Sequence, residues 1–296
     1  MRKSDEMNKP RRKRKKLFTL LCSVLALLLL AACFPGKLTV TAYTHAAPLD
    51  IPIRIVQLSD LHNAEFGENN GQLIAAVREQ APDLIVMTGD MLNRDDPDLT
   101  IVQTLIAEMA EIAPVYYGYG NHEYTWEALH GASLREVLSA AGAVVLNNEF
   151  RDITVNGNEI RIGGYVGFYW QPHMLTSDPD KQELERVFYK EFEDTGRYKI
   201  LLNHIPTQWI DWEYVNLCPV DLVFCGHYHG GGIRIPFLDR GVFAPYVGFF
   251  PRFTKGMDEG IVATCVLSAG LGSEHLIPRI NNPPEIVVLD LIPAAE

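Results

Sequence analysis

The sequence predicts an α/β chain in which two sheets are covered by helices. Short apolar runs alternate with helix-length amphipathic stretches from Ile53 to Ala141, hairpin-like pieces follow, and no internal repeat runs through the 296 residues. A hydrophobic content of 47% with 10% aromatics excludes a disordered chain and suits one large domain with an appendage.

The appendage comes first. Residues 1–16 carry nine Lys or Arg against Asp5 and Glu6, and Leu17–Phe34 is then free of charge for 18 residues. As a helix such a run spans ~27 Å, close to the apolar thickness of a bilayer. The expected division is a basic cytoplasmic tip over 1–16, a transmembrane signal anchor over 17–35, a linker with one short strand over 36–50, and a folded body over 51–296. The basic cluster ahead of the run places the body outside the cytoplasm, on a single-pass protein of a bacterial cell membrane. Leu30-Ala31-Ala32-Cys33 resembles a bacterial lipobox, which leaves a lipoprotein attached through Cys33 as the alternative.

In the body, strands are expected at Ile53–Leu58, Leu84–Met87, Val115–Tyr119 and Val144–Leu146, with helices near Gln72–Gln80, Leu99–Ile112 and Leu134–Ala141 between them. This is a βαβ series with mostly parallel strands. Ile153–Val155 and Glu159–Gly164 flank Asn156-Gly157-Asn158, a hairpin turn signal. A charged helix over Pro179–Glu193 precedes strands at Lys199–Leu202 and Leu222–Cys225, and Ile261–Leu267 and Glu285–Leu289 are again strand-like.

Beyond residue 16 the chain holds 17 basic and 35 acidic residues, a net of −18. Such a body repels a nucleic-acid backbone, so nucleic acid is not an expected partner. Cys218, Cys225 and Cys265 show no CxxC spacing and are expected as free thiols of the body.

The chemistry lies where strands end. Asp60-Leu61-His62, Gly89-Asp90, Gly120-Asn121-His122-Glu123, Asn203-His204 and Gly226-His227-Tyr228-His229 each follow one of the expected strands. The carboxyl ends of strands in an open α/β sheet form its ligand crevice, so these side chains should converge. Carboxylate, imidazole and amide oxygen together suit Mn, Fe or Zn, and seven ligands are too many for one ion. Two divalent ions sharing a carboxylate would use them all, an arrangement suited to in-line phosphoryl displacement.

These motifs, in this order, resemble those of the calcineurin-like metallophosphoesterase family over about residues 51–290. The resemblance implies a four-layer αββα sandwich of two mixed sheets flanked by helices, with the metals at one end. It implies Asp60, His62 and His229 on one ion, Asn121, His204 and His227 on the other, and Asp90 bridging both. His122 matches the histidine that binds the phosphoryl oxygen or protonates the leaving group, and the implied reaction is phosphoester hydrolysis by a metal-bound hydroxide.

Ser59-Asp60-Leu61-His62-Asn63, Gly230 to Pro236 and the stretch from Ala244-Pro245 to Phe250-Pro251 look like the membrane-anchored bacterial phosphodiesterase branch, which includes lipid-directed members; Gly232 departs from that branch's usual Gln. The substrate is accordingly expected to be a lipid-linked or envelope phosphoester. A protein or nucleotide phosphatase of the same fold, or a binding protein with a degenerate site, are the alternatives. Six aromatics within 237–253 (Phe237, Phe243, Tyr246, Phe249, Phe250 and Phe253) form either an apolar lip or core beneath a loop, and Phe168, Tyr169 and Trp170 offer a second wall.

Overall fold

The computed structural model describes residues 14–24, 37–165, 187–235, 238, 240–273 and 278–294. Two six-stranded sheets dominate it. The first contains β1 (Thr39–Ala47), β2 (Ile53–Leu58), β3 (Leu84–Met87), β4 (Val115–Gly118), β5 (Ala143–Leu146) and β16 (Glu285–Pro293), in the order β1-β16-β2-β3-β4-β5. The second contains β6 (Glu149–Val155), β7 (Asn158–Gly164), β8 (Tyr198–Leu202), β9 (Leu222–Cys225), β14 (Gly256–Glu259) and β15 (Thr264–Leu267), in the order β14-β15-β9-β8-β7-β6. Both sheets are mixed: parallel pairs predominate, while β16–β2, β14–β15 and β6–β7 are antiparallel. Between β9 and β14, two short antiparallel pairs join β10 (Arg234–Ile235) to β11 (Arg240–Gly241) and β12 (Phe243–Ala244) to β13 (Gly248–Phe249).

Alternation along the strands explains the layering. Ile53 and Ile55 point between the sheets, where they meet Ile160, Ile200, Leu222 and Phe224, while Val56 and Leu58 face the opposite way. That outer face is covered by α1 (Gly71–Glu79), α2 (Thr100–Ala110), α3 (Asn121–His130) and α4 (Leu134–Ala140), through Leu73, Leu105 and Leu138 among others. On the far side Leu201, Val223 and Cys265 pack beneath α5 (Thr207–Ile210) and the helical residues 187–193, with Trp209 and Phe192 at the contact. Strands covered on both faces read as unbroken apolar runs, which is why Leu84–Met87 and Leu222–Cys225 have the expected bounds.

Several expectations change. The stretch 36–50 holds a strand of nine residues, β1, which runs parallel to β16 as an integral edge of the first sheet and leaves little linker. Helix α3 was not expected, nor was β14. Of the charged helix over 179–193, residues 187–193 are helical and the remainder lie outside the described residues, as do Phe168, Tyr169, Trp170 and Phe237. Cys225 and Cys265 are buried free thiols and Cys218 is a partly exposed one.

No helix among the described residues is long and apolar enough to cross a membrane. Residues 14–24 are helical and exposed, and residues 25–36, which hold the rest of the expected span and Cys33, lie outside the described residues.

Candidate metal centre

Five loops meet at one end of the sandwich. Asp60 and His62 follow β2, Asp90 follows β3, Asn121 and His122 open α3 just after β4, His204 follows β8, and His227 and His229 follow β9. All are buried except His229, which is partly exposed. Backbone bonds knit the loops: the Asp60 amide donates to the Gly89 carbonyl at 3.0 Å and the His62 amide to the Asp90 carbonyl at 3.1 Å. Gly226 is required by space, because a Cβ there would run into Ser59 and the Asp60 carboxylate.

Asp60, His62, Asp90, His227 and His229 all have positive φ, at 53°, 49°, 53°, 70° and 46°. Left-handed backbone costs a residue with a Cβ on the order of 1 kcal/mol. Five such residues persist because the surrounding sheets hold them, and the strain turns their side chains toward one point.

The donor atoms fall into three groups, each with its atoms within 4.8 Å of one another: Asp60, His62 and His229; Asp90, His204 and His227; and His62, Asp90 and His122. Every charged or imidazole residue singled out from the sequence is thus brought together. Asn121 sits beside them, next to His122, whose amide donates to Asp90 Oδ1 at 2.8 Å. Asp60 Oδ1 accepts the His227 amide at 2.9 Å, and Asp60 Oδ2 accepts the Ser59 hydroxyl at 2.6 Å. His204 donates from Nδ1 to the Thr88 carbonyl at 2.7 Å, which directs Nε2 to within 3.0 Å of Asp90 Oδ2.

The electrostatics draw one positive charge to Asp90, carried by the His204 proton that a metal ion would displace. Burial opposes charge on His204, yet Asp90 beside it overrides burial and pushes its pKa up to about 10. Burial acts against the Asp90 carboxylate too, and His204 nonetheless holds it well below the usual range. Burial and the neighbouring His229 push His62 down to about 4, which keeps it a neutral ligand. Both ring nitrogens of His62, and Asn121 Oδ1, are buried with no hydrogen-bond partner among the described residues. Buried polar atoms are nearly always satisfied, and divalent ions would satisfy the amide oxygen and the one ring nitrogen of His62 that carries a lone pair. The residues fit a metal pair.

Glu123, quoted in the sequence motif but given no role there, is fully buried. Its carboxylate accepts the amides of Asp90 at 2.8 Å, Met91 at 3.0 Å and Gly120 at 2.8 Å, together with the Tyr117 hydroxyl at 2.6 Å. It therefore clamps the Asp90 loop to the start of α3. The available signal was positional, a Glu three residues after the helix N-cap Gly120. Glu123→Ala orphans three buried amides and should cost about 3–5 kcal/mol. A fall in Tm of about 10 °C is expected, and a Tm within a degree or two of wild type would contradict the clamp.

A two-sheet α/β sandwich that gathers carboxylates and imidazoles from successive strand ends defines a metal-dependent hydrolase of phosphoric esters, and comparison with known proteins agrees. The profile of the calcineurin-like phosphoesterases matches residues 53–231, more than half of the chain, and the chain belongs to that family. Phosphodiesterase YaeI of Escherichia coli is 28% identical over 244 residues, covering 81% of this chain and 83% of YaeI. The uncharacterized metallophosphoesterase YkuE of Bacillus subtilis is 28% identical over 247 residues, covering 80% and 78%. Among solved structures, a 5'-nucleotidase precursor from Thermus thermophilus aligns with a TM-score of 0.46 at 13% identity, covering 82% of this chain and 54% of that one. The family depends on a dinuclear metal centre, and the three donor groups supply candidate ligands for it.

Proposed function

We propose that the chain hydrolyses phosphodiesters or phosphomonoesters of the cell envelope, using two divalent ions of the Mn, Fe or Zn type. Asp60, His62 and His229 would hold one ion, Asn121, His204 and His227 the other, and Asp90 would stand between them. The observation that carries this reading is the pair of donor triads, Asp60-His62-His229 and Asp90-His204-His227, gathered at one end of the sandwich. The name of the Escherichia coli relative, a phosphodiesterase, favours diesters.

Ions bound there supply Lewis-acid polarisation of the phosphoryl group and activation of water. The chain's own contribution is placement. In the neutral form that could ligate an ion, His204 is held to one tautomer by the Thr88 carbonyl. His122 accepts the Arg94 amide at Nδ1, at 3.2 Å, so its proton sits on Nε2, ready for donation to a phosphoryl or leaving-group oxygen.

The proposal includes attachment of the body to the outer face of the membrane by the apolar run 17–34. Its support is that run's length, the basic residues before it, and the exposure of Leu17, Phe18, Leu20, Leu21 and Val24 in the helical residues 14–24.

Metal removal tests the catalytic half. Purified full-length protein should carry close to two metal equivalents. Chelation should abolish hydrolysis of an aryl phosphodiester and lower Tm by several degrees, because ligands of the folded state alone contribute about 4 kcal/mol at a thousandfold excess over Kd. Readdition of Mn should restore both. Undiminished hydrolysis by a metal-free preparation would refute the reading.

A further inference from the structure

The end of the sandwich that bears the candidate metal centre also receives the amino-terminal run. β16 is antiparallel to β2, so its first residue, Glu285, lies at the end of β2 that leads into Asp60. β1 is parallel to β16 with Thr39 opposite Glu285, which places Thr39 at that same end. Side chains tie the junction down: Glu285 accepts Lys255 Nζ at 2.9 Å and the Ala269 amide at 2.8 Å, and its own amide donates at 3.0 Å to the carbonyl of Gly270, which packs on Asp60.

The uncharged run ends at Phe34, five residues before Thr39. Five residues span at most about 18 Å when fully extended. With Phe34 at the membrane boundary, a tether that short holds this end of the body at the bilayer and leaves the opposite end pointing away.

The surface at this end suits such a neighbour. The β12–β13 hairpin and the residue after it expose Tyr246 at 45%, Phe249 at 74% and Phe250 at 59%, and Leu238, between β10 and β11, is exposed at 62%. Tyr246 joins this lip to the site, its ring stacked on that of His227 at 5.1 Å. On a body of net charge −18, the stretch 234–255 holds four basic residues and one acidic. Of these, Arg240 and Arg252 are exposed. Aromatic rings and Arg or Lys side chains together favour the headgroup layer of an anionic membrane.

We propose that the lip of Leu238, Tyr246, Phe249 and Phe250 docks on the phospholipid bilayer, so that the metal centre opens onto the membrane surface and acts on phosphoesters presented there. This rests on the membrane attachment proposed above.

The test uses full-length protein reconstituted in vesicles of phosphatidylethanolamine and phosphatidylglycerol with brominated acyl chains. Phe249→Trp places a reporter in the lip. Ile261→Trp places one at the opposite end, in the β14–β15 turn, where Ile261 is 86% exposed. The Phe249→Trp reporter should lose about half of its added emission to the bromines, the loss expected for a side chain at interfacial depth, while the Ile261→Trp reporter stays bright. Phe249→Asp combined with Phe250→Asp should leave hydrolysis of a soluble aryl phosphodiester unchanged. Vesicle-bound protein with both reporters quenched alike, or neither quenched, would overturn docking and leave attachment standing. A lip reporter shielded from aqueous iodide yet untouched by bromine would assign the lip to a protein surface, such as a second copy, and also overturn docking. Protein that does not float with vesicles would overturn the attachment and the docking with it.

Discussion

Asp90→Asn should abolish hydrolysis, lowering kcat/KM on an aryl phosphodiester by at least ~10³-fold, about 4 kcal/mol in activation free energy. Asp90 is common to two of the three donor groups: one joins it to His204 and His227, the other to His62 and His122. One of its oxygens also accepts the His122 amide at 2.8 Å, while the other lies 3.0 Å from His204 Nε2. An amide in its place keeps the shape and loses the charge. Its NH₂ must then point either at the His122 amide or at His204, and two donors face each other in the first case. Without the carboxylate only Asp60 is left to offset the mutual repulsion of two cations bound there. Bound metal should therefore fall from near two equivalents toward one, in parallel with activity. Glu65→Gln, at an exposed carboxylate in the loop after β2, should change neither quantity. Near wild-type turnover by Asp90→Asn would rule out a shared carboxylate and with it the dinuclear assignment.

The legibility of this chain follows where burial is two-sided and where chemistry is specific. Leu84–Met87 and Leu222–Cys225 were readable because strands covered on both faces must be apolar throughout. β1 and β14 lie at sheet edges, and their patterns are weaker: Thr39–Ala47 alternates half-buried with exposed positions for most of its length, and Gly-Met-Asp-Glu carries no strand signal at all. Helix α3 was hidden because its first turn is Asn121-His122-Glu123, residues chosen for the site, so polar side chains occupy buried positions where a helix would show apolar ones. The donor residues could be found because so many imidazoles and carboxylates at successive strand ends have few other uses. Their left-handed backbone could not be found, since Asp and His tolerate it better than most residues yet seldom adopt it unless the surrounding structure imposes it. Glu123 was visible as a letter but not as a clamp, because its partners are main-chain amides, which any residue supplies.

His122→Ala should leave metal content near wild type and lower kcat on substrates with poor leaving groups by roughly 10²-fold, with a much smaller loss on activated aryl esters. The two halves of the residue act separately. Its main-chain amide, which donates to Asp90, survives the substitution, so the Asp90 loop keeps that support. Its imidazole is fixed by the Arg94 amide on Nδ1 and by an edge-to-face contact with His62 at 4.5 Å between ring centres, which leaves a proton on Nε2. A group so placed matters in proportion to the proton its leaving group needs, and a nitrophenolate needs little. Arg94→Ala supplies the control: the bond to Nδ1 comes from the main chain, so this substitution should preserve the leaving-group dependence of the wild type. Equal losses by His122→Ala on good and poor leaving groups would instead assign the imidazole to binding the phosphoryl oxygen. Loss of a metal equivalent would make it a ligand, in keeping with its place beside His62 and Asp90 in the third donor group.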